Sequence, residues 1–167
     1  MTFRKATVAD FSFIRSLAQR PDYALFITDE DAAGLQVYLD APDCEILIWE
    51  PEGSAAGYAI YCEIGHASGR VELMRLALAN AGRGEGQTFL RALLQRAFVT
   101  HGARRVWLDC SAENLRAQKV YRRAGFVQEA CLRSHDFVPA LGRTIDTLLF
   151  GILRTEWEAL EPPPARA

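Results

Sequence analysis

The spacing of apolar residues changes several times along the chain, and each change predicts an element. Residues 2–7 read as a short first strand. Thr7 followed by Asp10 has the form of an N-cap with a first-turn acid. Phe11, Ile14, Leu17 and Ala18 then recur on one helical face, which predicts a helix over 8–19 that Pro21 stops. A second helix is predicted over 29–39, against the poor helix propensity of Gly34. A run of strands follows. Residues 44–49 are apolar and β-prone, Tyr58, Ile60, Cys62 and Ile64 alternate on one face of 55–64, and 70–79 carries Val71, Leu73, Leu76 and Leu78. Turn chemistry at Pro51-Glu52-Gly53-Ser54 and from Gly65 to Gly69 makes these three an antiparallel meander.

The period then lengthens. Phe89, Leu90, Leu93, Leu94, Ala97 and Phe98 form one stripe of a helix over 86–101, with Gly102 as its stop. A short strand over 104–109, a helix over 113–124 ended by Gly125, and strands near 126–132 and 145–153 complete the chain. The apolar strand 145–153 either inserts beside 126–132 or meets a second subunit. The strand–helix–strand–helix order requires locally parallel pairing by a right-handed crossover, so the fold class is α/β (α+β) with a mixed sheet.

Composition narrows the function. The chain has 167 residues, a net charge of −2 and 50% hydrophobic residues. That length fits one domain, expected over 1–160, with a disordered Pro-rich tail over 161–167. The apolar content excludes intrinsic disorder, and the absence of a positive field disfavours nucleic acid as a partner. No apolar window is long enough to span a membrane, and the N-terminus does not read as a signal peptide. Cys44, Cys62, Cys110 and Cys131 form no C-x-x-C pair and have no histidine at zinc spacing, so no metal is expected. They read as reduced, buried thiols of a cytoplasmic protein.

Two constellations carry chemistry. Arg83-Gly84-Glu85-Gly86-Gln87-Thr88 lies between a strand and an amphipathic helix. Free backbone N–H groups and the positive dipole end at a helix start bind phosphate, and glycine lets a ligand approach closely. No Gly-Lys-Ser/Thr follows, so this is not a Walker loop. The second constellation is Asp109, Asn114, Tyr121, Gly125 and Phe126. Taken alone, Asn114 reads equally as a helix cap, and Tyr121 as a core tyrosine with its hydroxyl at an edge.

Together the two resemble the GNAT superfamily of acyl-CoA-dependent N-acetyltransferases. Arg83, Gly86 and Thr88 occupy the three marked positions of that family's cofactor loop, Thr88 standing where Gly or Ala is usual. Asn114, Tyr121, Gly125 and Phe126 match its later motif. The stretch from Leu141-Gly142-Arg143 through Asp146 to Trp157 resembles the tail of the Rim-type branch, which includes ribosomal-protein N-terminal acetyltransferases. The resemblance implies a mixed, mostly antiparallel sheet of six or seven strands with about four helices. It implies acetyl-CoA as co-substrate, held by backbone groups of residues 83–88 and by strand-like pairing at Leu76, Ala77 and Leu78, one N–H there acting as oxyanion donor.

By the same resemblance Tyr121 protonates the departing thiolate, and Asn114 orients the cofactor or a bound water. Glu72 or Asp109 is the candidate general base, His135 a further option, and catalysis through a water chain with no single base stays open. The acceptor is a primary amine: a protein N-terminus, a small amine such as an amino acid or polyamine, or an antibiotic amine. Asp22, Asp29, Glu30, Asp31 and Asp40 either attract a cationic amine or form a solvated face. A homodimer is implied. The competing readings are a non-catalytic acyl-CoA-binding or sensor module and an interaction domain without cofactor.

Overall fold

The structure, a computed structural model, describes residues 3–80 and 84–160. The expectations placed on Arg83 and on the 161–167 tail therefore fall outside the described residues. The elements are β1 (Phe3–Lys5), a 3-10 turn (Val8–Asp10), α1 (Phe11–Ala18), α2 (Ala32–Asp40), β2 (Glu45–Trp49), β3 (Gly57–Cys62), β4 (Arg70–Leu78), α3 (Glu85–Gln95), a π-helical turn (Arg96–Thr100), β5 (Arg105–Ser111), α4 (Leu115–Arg123), β6 (Val127–Val138), β7 (Arg143–Leu153) and α5 (Arg154–Leu160). Seven strands make one sheet in the order β1-β2-β3-β4-β5-β7-β6. All neighbours are antiparallel except β4 and β5. The predicted fold class holds.

Two apolar layers cover the sheet. Phe89, Leu90, Leu93, Leu94, Ala97 and Phe98 bury the predicted stripe of α3 and its π-helical extension against Leu47, Tyr61, Leu73 and Val106. Phe11, Ile14 and Leu17 of α1 bury against Ile46, Ile48, Tyr58 and Ile60 on the other face. Asp31 caps α2 by accepting from the Gly34 N–H at 2.8 Å, so the weak helix former sits in the capped first turn.

Several expectations are corrected. Ile64 joins the α3 side of the sheet while Tyr58, Ile60 and Cys62 face α1, because Glu63 takes a left-handed φ of 60° and reverses the alternation. Of the two alternatives for 145–153 the first holds: β7 pairs with β6, and it lies between β6 and β5. β6 continues to Val138, beyond the predicted 126–132, and carries His135. The segment after Leu153 turns into α5, which the apolar pattern does not predict. Of the cysteines only Cys62 is buried, and Cys131 is exposed.

Two irregularities position the site. Ile60 pairs with Arg75 but Tyr61 pairs with Leu73, so Met74 is an extra residue bulged out of β4. Before the bulge, odd-numbered Val71 and Leu73 face α3; after it, even-numbered Leu76 and Leu78 do. Glu72 and Arg75, opposite Cys62 and Ile60, therefore share the α1 face. The second irregularity lies between β4 and β5. Their parallel pairing covers Arg70–Arg105, Val71–Val106 and Glu72–Trp107, and stops there.

Candidate active site

Beyond Glu72 the two central strands part and a cleft of about 1340 Å³ opens between them. Its walls include β4 from Glu72 to Leu76 and Leu78, β5 from Asp109 to Ser111, the start of α3 at Gly84, Gly86 and Gln87, and Asn114 and Tyr121. The residues predicted from two distant stretches thus meet at one opening. Glu85 and Thr88 do not line it. The divergence also exposes one edge of β4. Ala79 donates its N–H to the Ala56 carbonyl at 2.8 Å, as a directly opposed pair does. Antiparallel alternation then commits Ala77 and Arg75 to β3 and turns the backbone groups of Leu76 and Leu78 toward the cleft. Of the three predicted backbone donors, Ala77 is thereby excluded.

Leu78 is already engaged. The Tyr23 hydroxyl lies 3.0 Å from its N–H nitrogen and 3.0 Å from its carbonyl oxygen. Arg20 adds a donor to the Ala79 carbonyl at 2.5 Å and pairs with Asp22 at 2.7 Å. The turn after α1 is thus fastened to the far end of the cleft edge.

At the α3 end of the cleft, Gly84 is the N-cap of α3 with a left-handed φ of 83°, a conformation that favours glycine. A Cβ on it would meet nothing within 4 Å, and one on Gly86 would meet only Val120 methyls at 3.8 Å. The Gln87 amide donates to the Val120 carbonyl at 2.8 Å and ties α3 to α4. Arg116, Lys119 and Arg123 of α4 line this end as well. Sequence reasoning missed them because basic residues on an exposed helix face read as solvation. Asn114 is the N-cap of α4, its Oδ1 accepting from the Ala117 N–H at 3.0 Å, so half of its amide is committed to the helix.

The part of the cleft at the fork holds a phenol and three carboxylates. Tyr121 is 7% exposed, packed against Phe126 and Phe150 at ring-centroid distances of 6.0 and 5.8 Å. Its hydroxyl has no hydrogen-bond partner among the described residues, and burial holds its pKa well above the usual 10. Glu72 is half-buried at the fork. Burial, then the charges of Asp109 and Glu63, raise its pKa to about 7. Asp109 is raised too, by burial and by Asp136. Asp136 joins the cleft because β6 bulges: Leu132 pairs with Thr147 and Asp136 with Ile145, leaving residues 133–135 against one. Thr147 donates to Asp136, and the Ser134 N–H donates to Asp146 at 2.8 Å. No regular strand pattern announces such a bulge, and Asp136 was not foreseen. Among the described residues no group of histidines, cysteines and acids is arranged to hold a metal ion.

A forked parallel pair, a helix start at the fork, an open strand edge, a buried phenol and carboxylates thus line one cleft. The model of the acetyltransferase (GNAT) family matches residues 11–126, and the chain belongs to that family. Its reaction is acetyl transfer from acetyl-CoA to an amine. The chain is similar in fold to spermidine N-acetyltransferase from Vibrio cholerae in complex with CoA and spermine (TM-score 0.82, 20% identity, 93% of this chain and 96% of that one). It is also similar to that enzyme's dodecameric structure in an intermediate state (TM-score 0.77, 20% identity, 98% of each chain).

Proposed function

We propose that the chain acetylates a small-molecule primary amine by direct attack on acetyl-CoA bound in the β4–β5 cleft. The observation that carries this is the meeting of Glu72, Tyr121 and the free backbone edge of Leu76 where the strands part. The pyrophosphate lies against the N–H groups at the start of α3, with Arg116, Lys119 and Arg123 of α4 beside it. The pantetheine arm pairs with Leu76 and Leu78 as an added strand, and the Leu76 N–H polarises the thioester carbonyl. Glu72, poised near neutrality, takes the proton of the incoming amine directly or through one water, and Asp109 favours that cationic end. Tyr121 keeps its proton at pH 7 and donates it toward the leaving sulfur.

The CoA and spermine of the Vibrio cholerae neighbour support a small amine over a protein N-terminus. A place in the Rim-type branch, carried by the Leu141–Trp157 stretch, a single domain over 1–160, a homo-oligomer and a cytoplasmic setting belong to the same reading. The dodecameric neighbour supports the oligomer, and no helix among the described residues is long and apolar enough to cross a membrane.

The test has two parts. Acetyl-CoA and CoA, but not ATP, should raise the melting temperature. Thiol release from acetyl-CoA should then depend on an added primary amine. Binding without turnover on any amine would leave the non-catalytic module in its place.

A further inference from the structure

The acceptor end of the cleft is acidic in sequence but not in effect. Asp29 pairs with Arg15 at 3.0 Å and accepts from Gln19 at 2.8 Å. Asp22 pairs with Arg20, and Asp31 is spent on the α2 cap. Asp22 and Asp29 are thus already paired with arginines, and Asp31 does not line the cleft. Of the carboxylates that line the cleft, Glu72, Asp109 and Asp136 have no ion-pair partner among the described residues and stand together where the strands part.

Arg75 has the opposite character. It lines the cleft from the same sheet face as Glu72, two ladder steps farther along β3, or about 7 Å. Its Nη2 lies 2.9 Å from Glu30 Oε1, and its guanidinium sits 5.8 Å from the Tyr38 ring centroid. The side chain is only 14% exposed, and Nη1 is buried with no hydrogen-bond partner among the described residues. The charge is balanced by Glu30, but an N–H withdrawn from water without an acceptor is still costly, and a ligand oxygen would relieve it. Guanidinium groups favour carboxylates in this role.

We infer that the acceptor amine also bears a carboxylate, as an amino acid does, with its amine received by Glu72 and Asp109 and its carboxylate by Arg75. The inference rests on the acetyltransferase reading of the cleft. It sets this chain apart from an enzyme for polyamines, which offer Arg75 nothing but repulsion.

The experiment compares kcat/KM by thiol release for a panel of L-amino acids, their carboxamides and spermidine. In the wild type the best amino acid should exceed its own carboxamide at least about tenfold, although the carboxamide's amine is the less basic and more often neutral. Arg75→Met should bring that ratio toward one, and Arg75→Lys should restore part of it. Glu30→Gln, which keeps the guanidinium and removes its competitor, should raise the ratio; an unchanged or lower ratio counts against the assignment. An acetyl-CoA melting shift equal to that of the wild type shows that a variant is folded. Spermidine preferred over every amino acid, or a ratio near one in the wild type, overturns this inference while sparing the proposed function. Acetyl-CoA binding with no turnover of any amine overturns both.

Discussion

Glu72→Gln should stabilise the protein at alkaline pH while it removes activity. Glu72 has a pKa of about 7 in the fold against 4.5 for a free glutamate, because burial and the charges of Asp109 and Glu63 disfavour its anion. The folded state therefore holds a proton that the unfolded state has released between those two values. Stability falls as pH rises through that window. Each tenfold change in proton affinity is worth about 1.4 kcal/mol, so the cost at pH 8 is about 2–3 kcal/mol after allowance for water in the cleft. A neutral glutamine escapes that cost. For a chain of this size the variant should melt about 5–10 °C higher at pH 8. At pH 5 the gain should shrink to about 1 kcal/mol or less, because the wild-type carboxyl is then protonated in the fold. Calorimetric melts of both proteins at the two pH values decide the matter. A gain of the same size at pH 5 and pH 8, or a loss at pH 8, would refute the burial argument. Turnover on an amine of low basicity should rise with pH to a plateau above about 7 in the wild type, and that limb should vanish in the variant.

Three further outcomes follow from the geometry. Tyr121→Phe should lower kcat by about 10²-fold or more with little change in acetyl-CoA affinity, and undiminished turnover would dismiss the phenol as acid. Gly86→Val should abolish the acetyl-CoA melting shift, since a side chain there blocks close approach of the pyrophosphate, whereas in the ligand-free fold the added Cβ only comes into ordinary contact with Val120 at 3.8 Å. Unaltered binding in calorimetric titration would move the pyrophosphate elsewhere. Tyr23→Phe should tighten acetyl-CoA binding, because the phenol hydroxyl occupies backbone groups of Leu78 that pantetheine needs. Weaker binding in the same titration would make Tyr23 a ligand contact instead.

The long-period elements were legible because their stripes were complete: Phe89 to Phe98 in one helix, Phe11 to Ala18 in another. The meander was legible from its alternation and turns. Asn114 and Tyr121 were legible as a spaced pair, though the two readings of Asn114 needed the Ala117 hydrogen bond to bring out the cap. Arg75 and Asp136 were not foreseen. Their positions depend on bulges, which change a side chain's face without changing its neighbours in sequence. The β4 bulge did leave a trace, since the apolar set Val71, Leu73, Leu76, Leu78 breaks step between 73 and 76. The three-residue bulge of β6 left none, because both faces of that strand are largely exposed. The engagement of Asp29 and Glu30 by arginines was equally hidden, since the partners Arg15 and Arg75 come from α1 and β4.

Met74 sets the parity of everything that follows it in β4. Removing that one residue would exchange odd for even from Arg75 onward. Arg75 would turn into the α3 core, the apolar side chain of Leu76 toward the acceptor, and the backbone edge offered to the thioester would belong to different residues. Acceptor choice and acyl activation are thus coupled through a single insertion. A lineage descending from this sequence can vary the side chains on either wall independently, but it can lengthen or shorten this strand only in steps of two.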